Sequence, residues 1–215
     1  RGVDRWWPGA YQDGIIAAKD VTVTTFNIRG SNNEEDETSR EWASRKEGVF
    51  AWFNENQHPF VCVQECSDDQ RGDILANCAG YGVVDKELSL SEKRKLHGWI
   101  NANSADDYEP VKIFYKEADV ENVTSGTFWL TDTPNTPSKM SNQNQHRMAQ
   151  WMKCTYKGCP MMVVAVHMSQ KTSNNDQGDS EPMQSLREYE MGVVQSWLDN
   201  PDNYDPSVDG PVVLA

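Results

Sequence analysis

The chain has 215 residues, of which 37% are hydrophobic, and a formal net charge of −13 at pH 7. This length suits one large α/β domain, and 8 Trp, 7 Tyr and 6 Phe supply much of its apolar core. The negative charge argues against a broad nucleic-acid-binding surface, because phosphate backbones are bound by Lys and Arg. The sequence holds no run of about eighteen apolar residues, so we expect no membrane-spanning helix.

The first half of the chain predicts a strand–helix–strand unit. Residues 21–28 are rich in β-branched types and predict a strand. Apolar residues then recur at helical spacing between residues 40 and 56, and residues 60–66 form a second, more apolar strand. This order favours parallel neighbours, so Asn27 and Glu65 should lie at the same edge of one sheet.

The second half alternates apolar segments with polar loops. Strands are predicted over residues 111–115, 126–130, 150–156 and 161–167, the last two as an antiparallel hairpin, and a further strand begins within 211–215. A helix is predicted over 68–79, with Ile74, Leu75 and Cys78 inward. A second helix carries Leu186, Tyr189, Val193, Val194 and Trp197 on its apolar face. The polar loops are 135–145 and 169–182, and the second is long enough to predict a functional or mobile role.

Five cysteines do not define a complete disulfide framework. Cys154 and Cys159 flank a turn-like segment, and two alternatives stay open for them: a bridge across the hairpin, or two buried thiols. Cys62 and Cys66 are four residues apart on an extended strand, which is too far for a bridge between them. A zinc site is not indicated, because the sequence lacks a Cys-x-x-Cys pair and a nearby pair of histidines.

Four polar residues stand at the beginning or end of otherwise apolar strands: Asn27, Glu65, Glu109 and His167. Each alone is weak evidence for a site. A single His at a strand end is more often a hydrogen-bonded structural residue, and a single Glu there is usually solvated. Their order along the chain and their local sequences carry more information than any one of them.

Together they resemble the endonuclease/exonuclease/phosphatase superfamily, which includes DNase I-like nucleases and neutral sphingomyelinases. The resemblance covers nearly the whole chain from residue 21 onward. The matching segments are Thr25-Phe26-Asn27-Ile28-Arg29, Val63-Gln64-Glu65, Glu109-Pro110-Val111-Lys112-Ile113-Phe114-Tyr115, Ser125-Gly126-Thr127-Phe128-Trp129-Leu130-Thr131-Asp132-Thr133-Pro134 and Val164-Ala165-Val166-His167.

The resemblance implies a four-layer α/β sandwich with two mixed β-sheets flanked by helices, and metal-dependent hydrolysis of a phosphoester. It implies that Glu65 binds Mg²⁺, with Mn²⁺ or Ca²⁺ as alternatives, and that Asn27 helps to place the metal, the phosphate and the attacking water. His167 would donate to a non-bridging phosphate oxygen, and Glu109 would orient its imidazole. Arg147 would bind phosphate, although a structural salt bridge is an equal alternative.

The sequence departs from the family pattern in two places. The family's His segment commonly reads Asn-Thr-His-x-Asp, whereas this chain has Ala165-Val166-His167-Met168-Ser169. The family's Gly-Asp-x-Asn and Ser-Asp-His segments, the latter of which activates the attacking water, would follow the strand at 211–214. We therefore expect one domain over residues 1–215 that is incomplete at its C-terminus, and an enzyme only if the natural chain continues past Ala215.

Three functions stay open from the sequence. The first is a metal-dependent phosphoesterase, and the second is a non-catalytic interaction or structural subunit that keeps the fold. The third is a carbohydrate- or surface-binding module that uses Trp6, Trp7 and Trp99. For the first, the charge favours a small or lipid-type phosphoester over long nucleic acid. The segment Asn122-Val123-Thr124 is a glycosylation acceptor in secreted proteins, so secretion is an open alternative. The sequence opens at Arg1 without a Met-initiated signal sequence, so we expect that any targeting segment has been removed or is not included.

Overall fold

The computed structural model describes residues 20–31, 41–85 and 111–215. Within these ranges it contains two four-stranded β-sheets and helices on their outer faces. The elements in chain order are β1 Val23–Asn27, α1 Trp42–Asn56, β2 Phe60–Gln64, α2 Asp68–Asn77, β3 Tyr81–Val84, β4 Val111–Lys116, β5 Val120–Trp129, β6 Met148–Tyr156, β7 Cys159–Val166, α3 Glu181–Leu198, α4 Pro206–Asp209 and β8 Val212–Leu214. Glu109, Trp6, Trp7 and Trp99 lie outside the described residues.

The first sheet has the strand order β1-β2-β4-β3. β1 and β2 are parallel, with Asn27 opposite Gln64, and β4 runs antiparallel to β2, with Val111 opposite Gln64. The carboxyl ends of β1 and β2 therefore meet the beginning of β4 at one edge of this sheet. The predicted parallel pairing of the first two strands is confirmed.

The second sheet has the strand order β5-β6-β7-β8. β6 and β7 form the predicted antiparallel hairpin, with Ala149 opposite Val166. β8 is parallel to β7, and Leu214 lies opposite Val164. The beginning of β6 and the ends of β7 and β8 consequently lie at one edge of the second sheet.

Side-chain alternation along β2 explains how the layers form. Phe60 and Cys62 face the second sheet and pack in a core with residues of β6 and β7, including Met152 and Val163. Val61 and Val63 point the opposite way, toward α1 and α2. All five residues of β2 are buried because both faces of the strand are covered.

The outer face of the second sheet packs against α3. Phe128 of β5 stacks on Trp197 of α3 with ring centroids 4.5 Å apart and an interplanar angle of 9°. Val164 and Val194 join the same cluster. Helix, sheet, sheet and helix thus follow one another, and the predicted four-layer α/β sandwich is confirmed. None of the helices in the described ranges has the length and apolar character that a membrane span requires.

Several predicted details are wrong. Leu75 is 37% exposed, because α2 turns Gln70 and Ile74 inward at a spacing of four residues. β5 begins at Val120, six residues before the predicted start at 126, and its register shifts between Glu121 and Thr124. Polar residues in this segment hide the strand pattern.

All five cysteines are free thiols, so the bridge alternative for Cys154 and Cys159 is wrong. The hairpin register explains the outcome: Cys154 lies opposite Met161, and Cys159 lies opposite Tyr156. The two cysteines therefore do not face each other across the hairpin. Burial raises the pKa of the Cys154 thiol to about 11.

Candidate active site

Asn27 and Glu65 meet directly at the edge of the first sheet. Nδ2 of Asn27 donates to Oε1 of Glu65 at 2.8 Å. The backbone N–H of Arg29 donates to Oδ1 of Asn27 at 2.9 Å, and that of Gly30 donates to Oε2 of Glu65 at 3.3 Å. The predicted proximity of these two side chains is confirmed, and their oxygens are oriented by the backbone of the following turn.

The backbone on both sides of this pair is in the left-handed region. Arg29 has φ 56° and Glu65 has φ 55°, which for non-glycine residues costs roughly 1–3 kcal/mol each. The turn after β1 is held by neighbouring helices, because the guanidinium of Arg45 donates to the carbonyls of Ile28 and Arg29. Nε2 of Gln70 donates to the same Arg29 carbonyl at 2.8 Å. Arg29 and Glu65, whose backbones are strained, thus both belong to the candidate site.

His167 follows β7 directly and faces the pair from the second sheet. Its Nε2 lies 4.0 Å from Oε1 of Glu65, and each of the two side chains is 15% exposed. Gln64 connects the two edges close by, since its Nε2 donates to Oγ1 of Thr25 at 2.9 Å and to the Val166 carbonyl at 3.4 Å. The edges of the two sheets are therefore joined where Asn27, Glu65 and His167 converge.

A cleft of about 480 Å³ opens at this junction. The residues that line it are Asn27, Arg29, Glu65, Asn144, Gln145, Gln170 and Lys171. Arg29 and Lys171 contribute two positive charges against the one carboxylate. The cleft therefore offers a local environment for an anion, although the chain as a whole carries −13.

A second charged cluster lies beside this edge, on the side of the helices. Lys112 of β4 is buried, and its Nζ donates to Asp68 and to Asp85 at 3.1 Å each. Arg71 donates to the same Asp85 oxygen at 2.7 Å. Burial alone would raise the pKa of Asp85, but the charge of Lys112 and the hydrogen bond from Arg71 lower it overall. This network of ion pairs connects β4 with α2 next to the edge of the first sheet that carries the site.

Comparison with known proteins gives a fold-level answer. No protein-family model matches the chain, and no curated protein sequence matches it. Among solved structures, an endonuclease/exonuclease/phosphatase family protein from Bacteroides thetaiotaomicron matches with 21% identity and a TM-score of 0.62, over 82% of this chain and 55% of that one. This chain has the endonuclease/exonuclease/phosphatase fold.

Two further structures with this architecture extend the comparison. The mannosyl-6-phosphatase Bt3783 of Bacteroides thetaiotaomicron VPI-5482 is 20% identical with a TM-score of 0.68, over 91% of this chain and 64% of that one. A functionally unknown conserved protein from Enterococcus faecalis V583 is 24% identical with a TM-score of 0.63, over 85% of this chain and 62% of that one. The chain thus spans less than two thirds of the length of the structures that it matches.

The side chains at the edge of the first sheet can be compared with the ligands that a divalent metal requires. Mg²⁺ is usually held by one or two carboxylates together with water. Glu65 supplies one carboxylate. Nδ2 of Asn27 faces that carboxylate, and the amide oxygen of Asn27 accepts from the N–H of Arg29. No group of three or more His, Cys, Asp or Glu with metal-site geometry occurs in the part of the chain that the structure describes. The residues present therefore fit a water-rich Mg²⁺ site and do not form a closed all-protein one.

The other two predicted site residues are placed differently. Arg147 immediately precedes β6, at the same edge as His167, but its side chain is buried. Its Nη2 donates to Oε1 of Gln145 at 3.1 Å, so it contacts the cleft through a residue that lines it. Phosphate binding by Arg147 stays a prediction. Glu109 lies just ahead of β4, outside the described residues, and its role also stays a prediction.

Sequence reasoning missed Glu190, which is fully buried on α3. Its carboxylate accepts from Nε2 of Gln143 at 2.9 Å, from the backbone N–H of Ser169 at 2.9 Å and from Oγ of Ser169 at 2.5 Å. A signal was present, because position 190 is four residues from both Leu186 and Val194. Tyr189, predicted on the apolar face, is 41% exposed instead.

Proposed function

We propose that this chain carries the metal- and phosphate-binding part of a phosphoester hydrolase with the endonuclease/exonuclease/phosphatase fold. The observation that carries the proposal is the position of Glu65. Its carboxylate accepts a hydrogen bond from Asn27 at 2.8 Å and lies 4.0 Å from Nε2 of His167. The surrounding cleft adds the cations Arg29 and Lys171. A carboxylate, an amide, an imidazole and two cations suit a phosphoester bound through a divalent metal.

Each residue has a distinct role in this proposal. Glu65 and Asn27 hold the divalent cation, for which Mg²⁺ is proposed and Mn²⁺ or Ca²⁺ are alternatives. When bound, the cation neutralises negative charge on the phosphoryl group. His167 donates from Nε2 to a non-bridging phosphate oxygen, and its low exposure strengthens that hydrogen bond. Arg29 orients the phosphate from the turn after β1.

Activation of the attacking water is assigned to no residue of this chain. The family resemblance assigns this step to a Ser-Asp-His segment, which does not occur among the 215 residues. The end of β8 nevertheless lies beside the site, because the N–H of Val166 donates to the Ala215 carbonyl at 2.9 Å. Hydrolysis is therefore proposed for the natural protein that contains this chain.

The test measures hydrolysis and metal binding in parallel. The natural protein is assayed with an aryl phosphomonoester and an aryl phosphodiester over a MgCl₂ titration, and Mg²⁺ binding is measured by calorimetry. Glu65→Gln should abolish both metal-dependent hydrolysis and Mg²⁺ binding. Glu188→Gln, an exposed change on α3, is the matched control and should alter neither. Unchanged activity and binding in Glu65→Gln would refute the proposal.

A second candidate is a non-catalytic interaction subunit. It is favoured by the altered His segment, in which Ala165, Val166 and Ser169 replace the residues that the family commonly carries there. Tight Mg²⁺ binding without hydrolysis of either ester by the natural protein would support this candidate over the enzyme.

A further inference from the structure

One wall of the cleft is made of two loops that carry uncharged amides and a lysine. Asn144 and Gln145 lie on the loop before β6, and Gln170 and Lys171 lie on the loop after β7. We call these four residues the polar wall. It lies beside Glu65 and Asn27. A phosphoester bound through a cation held by that pair would therefore place its leaving group near the wall.

The two loops of the polar wall are tied to each other by their backbones. Gln143 and Thr172 form an antiparallel bridge, and the N–H of Ser173 donates to the Asn142 carbonyl at 3.0 Å. Oε1 of Gln143 also accepts from the N–H of Met140 at 3.0 Å. These bonds hold the wall as one unit.

A single buried carboxylate fixes both loops to the body of the fold. Glu190 accepts from Gln143, the residue before Asn144, and from Ser169, the residue before Gln170. Each pair of wall residues therefore directly follows a residue that is hydrogen-bonded to Glu190. Sites whose side chains are positioned by such supporting hydrogen bonds bind with less loss of conformational entropy.

The chemistry of the wall indicates what it binds. Each amide offers two N–H donors and one acceptor oxygen, and Lys171 adds further donors. None of the described residues that line the cleft is apolar or aromatic. These residues therefore provide neither a stacking surface for a nucleobase nor an apolar surface for an acyl chain. The cleft volume of about 480 Å³ is in the range of small-molecule sites.

We propose that the polar wall is a leaving-group subsite that selects small, hydroxyl-rich phosphate esters, such as sugar or polyol phosphates. This inference rests on the proposed function for the position of the phosphate, and it adds the class of substrate. Gln170 and Asn144 are assigned as specificity-determining residues, because amides both donate to and accept from hydroxyl groups.

The test compares binding of three probes by calorimetry in MgCl₂: a hexose 6-phosphate, n-hexyl phosphate and inorganic phosphate. We expect the hexose phosphate to bind at least about tenfold more tightly than hexyl phosphate, the effect of one net hydrogen bond or more. Asn144→Leu/Gln170→Leu should remove this preference and leave inorganic phosphate binding unchanged. Gln195→Leu, an exposed change on α3, is the control.

The outcomes separate the two proposals. If inorganic phosphate binds and the hexose phosphate shows no preference, or if the double variant keeps the preference, the subsite is refuted and the proposed function stands. If the hexose phosphate is preferred but no ester is hydrolysed, the hydrolase is refuted and the subsite stands. If none of the probes binds, both are refuted. Gln170→Leu alone, at an exposed position, repeats the test if the double variant does not fold.

Discussion

Nε2 of His167 lies 4.0 Å from Oε1 of Glu65, and this approach joins the edges of two different sheets. Glu65 follows a strand of the first sheet, whereas His167 follows a strand of the second. Their separation is therefore set by how the sheets pack, through the core that contains Phe60 and Val163. A site built in this way responds both to changes in its own residues and to changes in the contacts that hold the sheets together.

Replacing His167 should affect turnover more than substrate binding. In the natural protein, His167→Gln should lower kcat by about 10²–10³, the typical cost of removing one positioned donor to a developing charge, with a smaller change in KM. The measurement is steady-state hydrolysis of an aryl phosphate at saturating Mg²⁺.

The matched control for that experiment is His58→Gln. His58 is hydrogen-bonded to Oγ1 of Thr24 at 2.7 Å and precedes β2, at the opposite end of that strand from Glu65. This variant should retain kcat. An equal loss in the two variants would show that His167 acts only through stability.

Replacing Asn27 by aspartate tests the metal site by a stability measurement that requires no assay of activity. Asn27→Asp places a second carboxylate where Nδ2 now donates to Glu65, and two adjacent negative charges repel. Without metal, the variant should melt about 2–4 °C below wild type, as expected for 1 kcal/mol in a chain of this size. Excess MgCl₂ should raise its melting temperature more than that of wild type.

Asn200→Asp serves as the control for added charge, because Asn200 is exposed and already accepts from the N–H of Asp202. Its response to MgCl₂ should equal that of wild type. Equal MgCl₂ responses in Asn27→Asp and wild type would contradict a cation at Glu65.

Removing the carboxylate of Glu190 should loosen both loops of the polar wall. Glu190→Leu leaves buried donors of Gln143 and Ser169 without their acceptor, at a cost of about 1–3 kcal/mol for each unsatisfied group. We expect a lower free energy of unfolding and faster amide hydrogen exchange in segments 140–146 and 169–177. Glu188→Leu on the exposed side of α3 should change neither, and protection of both segments in Glu190→Leu would contradict the anchoring role.

Asp85 should stabilise the protein at neutral pH and lose this effect in acid. Its pKa in the folded protein is lowered below the ordinary value of 3.8, so its contribution is present above that value and disappears as pH falls through the folded pKa. Asp85→Asn should therefore lower the free energy of unfolding by roughly 1.5–3 kcal/mol at pH 7, the value of hydrogen bonds to charged groups.

Urea titrations at pH 7 and at pH 3 measure this effect. The difference between wild type and Asp85→Asn should narrow at the lower pH, whereas Asp132→Asn, at an exposed loop position, should match wild type throughout. A difference that stays constant with pH would show that Lys112 and Arg71 do not lower the pKa of Asp85.

The cysteines should differ sharply in reactivity. Burial raises the pKa of Cys62 and of Cys66 to about 12, which suppresses the reactive thiolate. Of the five thiols, four are buried and Cys159 is partly exposed. An Ellman titration of the native protein should therefore detect at most one thiol rapidly, and five after unfolding. Three thiols after unfolding without reductant would indicate a disulfide.

Much of the fold follows from local patterns. The apolar run of β2, the helical spacing in α1 and the hairpin of β6 and β7 were predicted because each has a clear period or turn signal. The start of β5 was missed because exposed edge residues between Val120 and Gly126 are polar, and alternation is a signal only where one face is buried.

The sequence by itself determined the order of the elements apart from β3 and α4, because most of them have a clear local period. It also determined the parallel β1–β2 pair and the meeting of Asn27 with Glu65, because a strand–helix–strand unit places the carboxyl ends of its two strands at one edge. Only the tertiary structure decided the 4.0 Å approach of His167, the anchoring of two loops by Glu190 and the placement of Gln170 in the cleft. These contacts join the two sheets, or a helix and two loops, rather than neighbouring strands of one strand–helix–strand unit. Their geometry depends on the packing of one sheet on the other and of α3 on the second sheet, which no local pattern contains.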